Sequence, residues 1–412
     1  MRKKVIVAMS GGVDSSVAAL VLKKEGYAVE GVTLQLIPDS HSGRFSEHAT
    51  PDIHVWEARR AAKLLDIPHH VLNLKREFHD LVIERFKEEY KTGRTPNPCI
   101  RCNRFIKFGI LFEASMEMGA DYLATGHYAK IEYDAHGDCF FLRRAADPQK
   151  DQSYFLYMLD QTLLRSLLLP LGNKTKQEVR RIARLEGLST SNKSESQEIC
   201  FIPGNDYRVL FKKNTSSAVS GPIVDRSGNR LGEHTGIINY TIGQRRGLGI
   251  SAEHPLYVTK MLVNQNTIVV GPRREAFSRG LVAEDVLWSS YPVENAETVY
   301  AKIRSLHKEA KACVYPLSEE RVRVVFEKPQ WAIAPGQAVV FYKNDRVLGG
   351  GIITDGENGT AGEDSFSECE RRSGNKRATP NESALLKISG LKETLKPSAS
   401  SSGREVFREQ RA

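Results

Sequence analysis

Cysteine is scarce in this chain, with six in 412 residues. They stand at 99, 102, 139, 200, 313 and 369, too few and too scattered for the disulfide framework of a small secreted domain. Long apolar runs are missing as well. No stretch approaches the ~18 residues of a membrane-crossing helix, which excludes a helical integral membrane protein. Met1-Arg2-Lys3-Lys4 leads at once into an apolar strand-like run, leaving no room for a signal or transit peptide. A soluble, cytoplasmic enzyme is expected. The chain shows no internal repeats. Its glycine-rich N-terminal segment carries no Gly-Lys-Ser/Thr, so a Walker-type loop is excluded. The net charge of +9 suits a polyanionic partner without demanding one. At this length two or three domains with proper cores are expected.

The most informative stretch present is Ala8-Met9-Ser10-Gly11-Gly12-Val13-Asp14-Ser15-Ser16. It follows the apolar run Val5–Met9, which reads as a buried parallel strand, and precedes Val17–Leu22, which has helical composition and ends near Gly26. A strand, a Ser/Gly turn and a helix start form a phosphate cradle. The glycines let the backbone bend and approach a ligand, while free N–H groups and the hydroxyls of Ser10, Ser15 and Ser16 face the anion. The string SGGVDSS resembles the pyrophosphate loop of the ATP pyrophosphatases.

Residues 1–205 alternate strand and helix signals. Strands are expected at 28–37, 70–74 and 121–125. Helices are expected at 53–66, 78–90, 104–118 and 175–187, with a loop over 91–103. This alternation predicts an α/β, doubly wound parallel sheet with its ligands at the carboxyl ends of the strands. A central β-rich domain is expected over 206–275. Over 276–355, period-two runs at 297–306, 311–317, 321–327 and 337–342, with a hairpin turn at Asn344-Asp345, predict a small antiparallel barrel. Residues 356–412 are rich in Ser, Gly, Glu and Lys, with Phe366 and Phe407 as their only aromatics. That composition predicts a disordered tail in which Cys369 has no role.

The second strong signal is Thr95-Pro96-Asn97-Pro98-Cys99-Ile100-Arg101-Cys102-Asn103. Pro96 and Pro98 predict a rigid extended loop. Arg94, Arg101, Arg104 and Lys107 surround the Cys-x-x-Cys and are expected to favour thiolate. Cys200 stands in Ser196-Gln197-Glu198-Ile199-Cys200-Phe201. Three readings compete with a reactive role. Half a zinc site lacks its second pair; Cys200 is equally a buried apolar residue between Ile199 and Phe201; and Cys99, Cys102 and Cys200 match three ligands of a [4Fe–4S] cluster with one open iron.

Several strings in one order carry a wider resemblance, covering residues 1 to about 355: SGGVDSS (10–16), TPNPCIRCN (95–103), ATGHYA (124–129), KDQSYFLY (150–157), SQEICFIPG (196–204), TIGQRRGLGI (241–250) and APGQAVVFY (334–342). The chain resembles the bacterial tRNA-specific 2-thiouridylases, the MnmA family. The resemblance implies a nucleotide-binding α/β domain, a central β-rich domain and a C-terminal barrel. It also implies 2-thiolation of the wobble uridine of tRNA, with ATP and Mg2+, in a monomer fed by a cysteine desulfurase or persulfide relay. Lys, Glu and Gln tRNAs are the acceptors it implies. By the match, Cys200 carries a persulfide and Cys102 is the second catalytic cysteine, a Cys102–Cys200 disulfide being left for a reductant. Cys99 stands where some members have Asp, so that acid's proposed role has no counterpart here.

The match further implies that Ala8, Met9, Ser10, Gly11, Gly12, Val13, Asp14 and Ser15 wrap ATP. Leu34 packs the adenine and Gly126 approaches the nucleotide. Asn97, Pro98 and Cys99 border the everted base, an exposure such chemistry requires. His127, Lys150, Asp151, Gln152, Arg304, Ser305 and Gln337 contact tRNA, although the aromatic usual after that arginine is replaced by Ser305. Arg245 and Arg246 are phosphate-contact candidates by charge alone. Two other functions compete: an amide-forming ATP-pyrophosphatase ligase, for which no glutaminase half is visible, and a non-catalytic RNA-binding protein, for which an intact nucleotide loop has no use.

Overall fold

A computed structural model of the chain describes residues 2–37, 53–188, 199–202, 204, 206–211, 219–289 and 291–357, together with Phe366 and Cys369. Ser196, Gln197, Glu198 and nearly all of the expected tail lie outside the described residues.

Strand β1 (Lys4–Ala8) is followed by helix α1 (Val13–Lys24), β2 (Ala28–Gln35), helix α2 (Ile53–Leu64) and β3 (His69–Asn73). Val5, Ile6 and Val7 have no exposed surface, as a central parallel strand covered on both faces requires. Next comes helix α3, continuous through Lys75–Phe78, His79–Glu84 and Arg85–Lys91, its middle third wound as π-helix. Helix α4 runs through Pro98–Arg101, a π-helical Cys102–Ile110 and Leu111–Glu117. Then follow β4 (Tyr122–Ala124), β5 (Ala129–Asp134), β6 (Cys139–Arg144), helix α5 (Gln161–Arg165), β7 (Leu167–Leu168) and helix α6 (Lys176–Leu185).

The parallel sheet has the order β3-β2-β1-β4-β7. The chain therefore leaves β1 toward one side and β4 toward the other. Their carboxyl ends open a crevice, where doubly wound folds place ligands. The loops that follow these two strands are those carrying SGGVDSS and Thr-Gly-His.

The central sheet joins β8 (Gly221–Val224), β9 (Arg230–His234), β10 (Leu256–Leu262) and β11 (Thr267–Pro272) in the order β10-β11-β8-β9. The last six strands are β12 (Phe277–Trp288), β13 (Glu297–Lys302), β14 (Ala310–Ser318), β15 (Arg321–Trp331), β16 (Ala338–Lys343) and β17 (Arg346–Glu357). They run β12-β15-β14-β13-β16-β17, and β12 pairs with β17 to close a six-strand barrel. Its interior is a continuous apolar cluster including Leu281, Val299, Val324, Phe326, Phe341 and Ile353.

Three expectations are corrected. The segment from Pro98 onward is helix, not extended loop: Pro98 takes the first helical position, where its missing N–H costs nothing and its fixed φ is already helical. Residues 129–144 form an antiparallel hairpin, β5–β6, absent from the sequence reading, and β6 joins the barrel sheet at β17. Cys369 is bonded to Cys313 of β14 and is buried with Val325 and Phe366.

Candidate active site

The nucleotide loop is organised by its own hydroxyls. The Ser10 N–H donates to Ser15 Oγ (3.1 Å), and the Ser15 and Ser16 hydroxyls donate to the Gly12 carbonyl (3.2 and 2.9 Å). No side chain caps the start of α1, so its first amides remain for an anion. Gly11 has φ +72°, and a Cβ there would meet the His54 carbonyl at 2.7 Å. Only glycine satisfies both the left-handed backbone and that close approach. Gly126, after β4, lies against the same turn: a Cβ would come within 2.9 Å of Asp14 C and Ser15 N. The loops of β1 and β4 thus touch across the crevice.

Asp14 is held more firmly than the sequence suggested. Lys176 Nζ donates to both of its carboxylate oxygens (2.7 Å each), and the Tyr128 hydroxyl donates to Oδ1 (2.8 Å). The lysine side chain is only 10% exposed. The Thr175 capping box at the start of α6 sets it there. Hydroxyls, amides and an ammonium gathered on one turn suit phosphate, and a divalent cation taking Asp14 directly would have to displace Lys176. Behind the loop, the Thr33 hydroxyl donates to the Met9 carbonyl (2.7 Å), which orients that hydroxyl to accept from His69 Nε2–H (2.8 Å). Leu34 is half-buried at the carboxyl end of β2.

The sulfur site assembles from two distant segments. Asn97 caps α4, its Oδ1 accepting from the Cys99 N–H at 3.1 Å, so Cys99 and Cys102 occupy the first turn. Cys200 is delivered by its neighbour. Phe201 is 1% exposed and packs edge-on against Phe78 and Phe86 of α3, with centroids 5.6 and 5.5 Å apart. Two such aromatic contacts contribute roughly 0.5–1.5 kcal/mol each beyond area burial. The buried residue of this pair is therefore Phe201, while Cys200 and Cys99 reach solvent and Cys102 is buried.

Cys99 raises the pKa of Cys102, and both raise that of Cys200. Contrary to the expectation of thiolates, all three thiols are pushed up, Cys200 to about 12, chiefly by the protein packed around them. Of the four expected cations only Lys107 opposes the rise. The others are engaged elsewhere: Arg94 with Glu89, Arg101 with the Leu81 carbonyl and Arg104 with Asp285. Among the described residues, no group of three His, Cys, Asp or Glu side chains is spaced to hold a metal ion. Cys99, Cys102 and Cys200 form no such group in this arrangement.

Family models match residues 3–204 ("tRNA methyl transferase HUP domain"), 210–272 ("tRNA methyl transferase PRC-barrel domain") and 278–353 ("Aminomethyltransferase beta-barrel domain"). A "tRNA-specific 2-thiouridylase MnmA" of Acetivibrio thermocellus is 48% identical over 361 residues, covering 85% of this chain and 99% of its own. Its counterparts from Halothermothrix orenii and Carboxydothermus hydrogenoformans are 47% and 48% identical, each covering 85% of this chain and 98% of its own. The chain belongs to the MnmA family.

Within this MnmA fold, most residues expected to touch tRNA make firm internal contacts. His127 Nδ1 pairs with Thr125 Oγ1 (2.8 Å), and Lys107 Nζ reaches Nε2 at 3.5 Å. Burial and that ammonium hold the imidazole neutral, its pKa well below the usual histidine value. Gln152 clamps the Tyr128 backbone in both directions (2.9 and 2.8 Å). Asp151 accepts from Ala145 N, Ser153 N and the Ser153 hydroxyl, so it organises the turn that follows the half-buried Lys150. Gln337 donates to the Thr95 carbonyl (2.8 Å), tying the barrel to the loop before Asn97 and Pro98. Arg304 Nη2 donates to the Ala332 carbonyl (2.9 Å) while its buried Nε has no partner; Ser305 beside it is half-buried. Arg245 and Arg246 are exposed, and Arg245 lines a surface cavity of about 420 Å3 with Leu248, Ile250 and His254.

Sequence reasoning missed Lys176, Tyr128 and the special position of Lys107. The first two act through Asp14 from positions 162 and 114 residues away, and no local pattern reports such a contact. The expected Cys102–Cys200 disulfide is not formed here, both sulfurs being free.

Proposed function

We propose that this protein replaces O2 of the wobble uridine of tRNA with sulfur, using ATP to activate the oxygen. A uracil carbonyl oxygen does not leave unaided. Attack of O2 on the α-phosphorus of ATP, with departure of pyrophosphate into the Ser10–Ser16 cradle, converts it into a leaving group. The terminal sulfur of a persulfide on Cys200 then adds at C2 and AMP leaves with the C–O bond electrons, giving a C2–S–S–Cys200 linkage. The Cys102 thiolate attacks the Cys200 sulfur. The S–S bond breaks toward the base, leaving the thiocarbonyl on uridine and a Cys102–Cys200 disulfide that a dithiol reductant reopens.

The observation that supports this reading is a run of neighbouring groups. The Lys107 ammonium acts electrostatically on Cys102, its Nζ reaches His127 Nε2 at 3.5 Å, and Gly126 beside His127 lies against the turn of Asp14 and Ser15. A loop built for phosphate and two free cysteines are thereby linked through neighbouring side chains. The family-model descriptions speak of methyl transfer, but relatives 47–48% identical over 85% of this chain are named for thiolation, which supports sulfur transfer.

Several finer points belong to the same proposal: Mg2+ entering with ATP, a persulfide relay or cysteine desulfurase as donor, Lys, Glu and Gln tRNAs as acceptors, a monomeric enzyme and a cytoplasmic setting. No helix among the described residues is long and apolar enough to cross a membrane. The test is mass spectrometry of tRNA nucleosides after incubation with ATP, Mg2+ and a persulfide donor. Cys102→Ser and Cys200→Ser should each lower 2-thiouridine formation roughly a thousandfold or more with tRNA affinity unchanged. Substantial product from either variant would overturn the assigned roles.

A further inference from the structure

We propose that Lys107 is the positioning cation of the sulfur site: its ammonium stabilises negative charge on Cys102 and Cys200 while taking no covalent part. The proposal rests on the reading of these cysteines as a reactive pair, but its test needs neither tRNA nor ATP.

Three observations converge on this lysine. Lys107 is half-buried, yet it forms no ion pair with any described residue, and its hydrogen bond goes to the neutral ring of His127 at 3.5 Å. Every other cation near the Cys-x-x-Cys is already matched by a carboxylate or carbonyl. A half-enclosed ammonium without a counter-ion is costly. The cost is offset where the counter-ion is an anion that forms during turnover, and preorganised charge of this kind acts most strongly away from water.

Local winding places the charge. In an α-helix, residues five apart diverge by about 140°, which would turn Lys107 away from Cys102. Residues 102–110 are π-helical instead. Bonding from i to i+5 widens the turn and sharply reduces that divergence, so Lys107 is brought back toward the side of the helix that carries Cys102. All three thiols accordingly feel it. The titratable groups acting on Cys102 are Lys107 and Cys99, and those acting on Cys200 are Cys102, Cys99 and Lys107; His127 contributes no charge.

Iodoacetamide labelling of the full-length protein between about pH 6 and 10, read cysteine by cysteine through peptide mass spectrometry, reports thiolate directly. The thiol proton passes to buffer and the thiolate displaces iodide. Lys107→Gln keeps a polar group beside His127 but removes the charge. It should slow labelling of Cys102 and Cys200 about tenfold at every pH in this range, the consequence of one pKa unit. Lys107→Arg should label nearly as the native protein does. Lys107→Met, which keeps the packing of the aliphatic stem, should repeat the glutamine result and serves if that variant does not fold. Native-like labelling of the neutral variants would overturn the proposal, as would an arginine variant as slow as glutamine, which would mean a packing role. Unchanged labelling with weakened tRNA binding would make Lys107 a phosphate contact instead. Shifted labelling in a protein that fails to thiolate tRNA would leave this inference standing and remove the functional reading.

Discussion

His69 and His127 flank the nucleotide loop as neutral rings, and their burial couples stability to acid. Burial and the nearby Arg59 bring the His69 pKa down to about 4, and that of His127 also lies well below the usual value. In the unfolded chain both would titrate near 6.5. Below that pH the unfolded state binds protons that the folded state refuses, so stability is fully present above about pH 6.5 and is lost as pH falls toward 4. Urea denaturation across this window should show unfolding coupled to the uptake of up to two protons. His69→Gln, which preserves a donor to Thr33, should reduce that slope by about one proton; an unchanged slope would show that His69 is not the linked group. At this scale the SGGVDSS chemistry was legible because its hydroxyls, glycines and amides are contiguous. Lys176 and Tyr128 were not, because they act through space on Asp14.

Helix α4 shows how one misjudged residue changes an element. Pro96 and Pro98 argue for an extended loop, but proline excludes only the helix interior. With Asn97 as cap it opens one. The consequence is that both cysteines of the Cys-x-x-Cys ride on a first turn whose register is set by a single side-chain hydrogen bond. Asn97→Ala should cost about 1 kcal/mol of stability. It should also lower the thiolation rate more than it weakens ATP binding, because the cap positions sulfur and not the nucleotide. Equal losses in both, measured by single-turnover thiolation and by ATP titration, would refute that division. The barrel strands, by contrast, were read with little error, since period-two alternation reports a closed sheet with one apolar face.

Across the whole molecule, the bond between Cys313 and Cys369 closes a span of 56 residues. It ties chain that composition marked as unimportant to the buried side of β14. A disulfide over such a loop contributes about 2–4 kcal/mol. Reducing the native protein should lower its unfolding free energy by that amount, whereas Cys369→Ser should unfold identically with and without reductant. Removing the chain after residue 357 should cost the same stability yet leave thiolation intact at 25 °C, because none of the site residues lies there. A large loss of turnover would show that the segment reaches the site. Composition correctly described a polar, weakly apolar segment, but it is blind to one covalent anchor.

The β5–β6 hairpin belongs by chain order to the first domain, yet β6 lies beside β17, with Arg143 opposite Arg346. About two hundred residues separate these partners, so at a synthesis rate of about 5–20 residues per second the hairpin emerges roughly 10–40 seconds before its neighbour exists. Until then its outer edge stands open, an invitation to mispairing that a nascent chain must survive. The N-terminal half of this protein is therefore born incomplete: a fragment cut near residue 205 would carry a bare sheet margin that only the far end of the same polypeptide was shaped to cover.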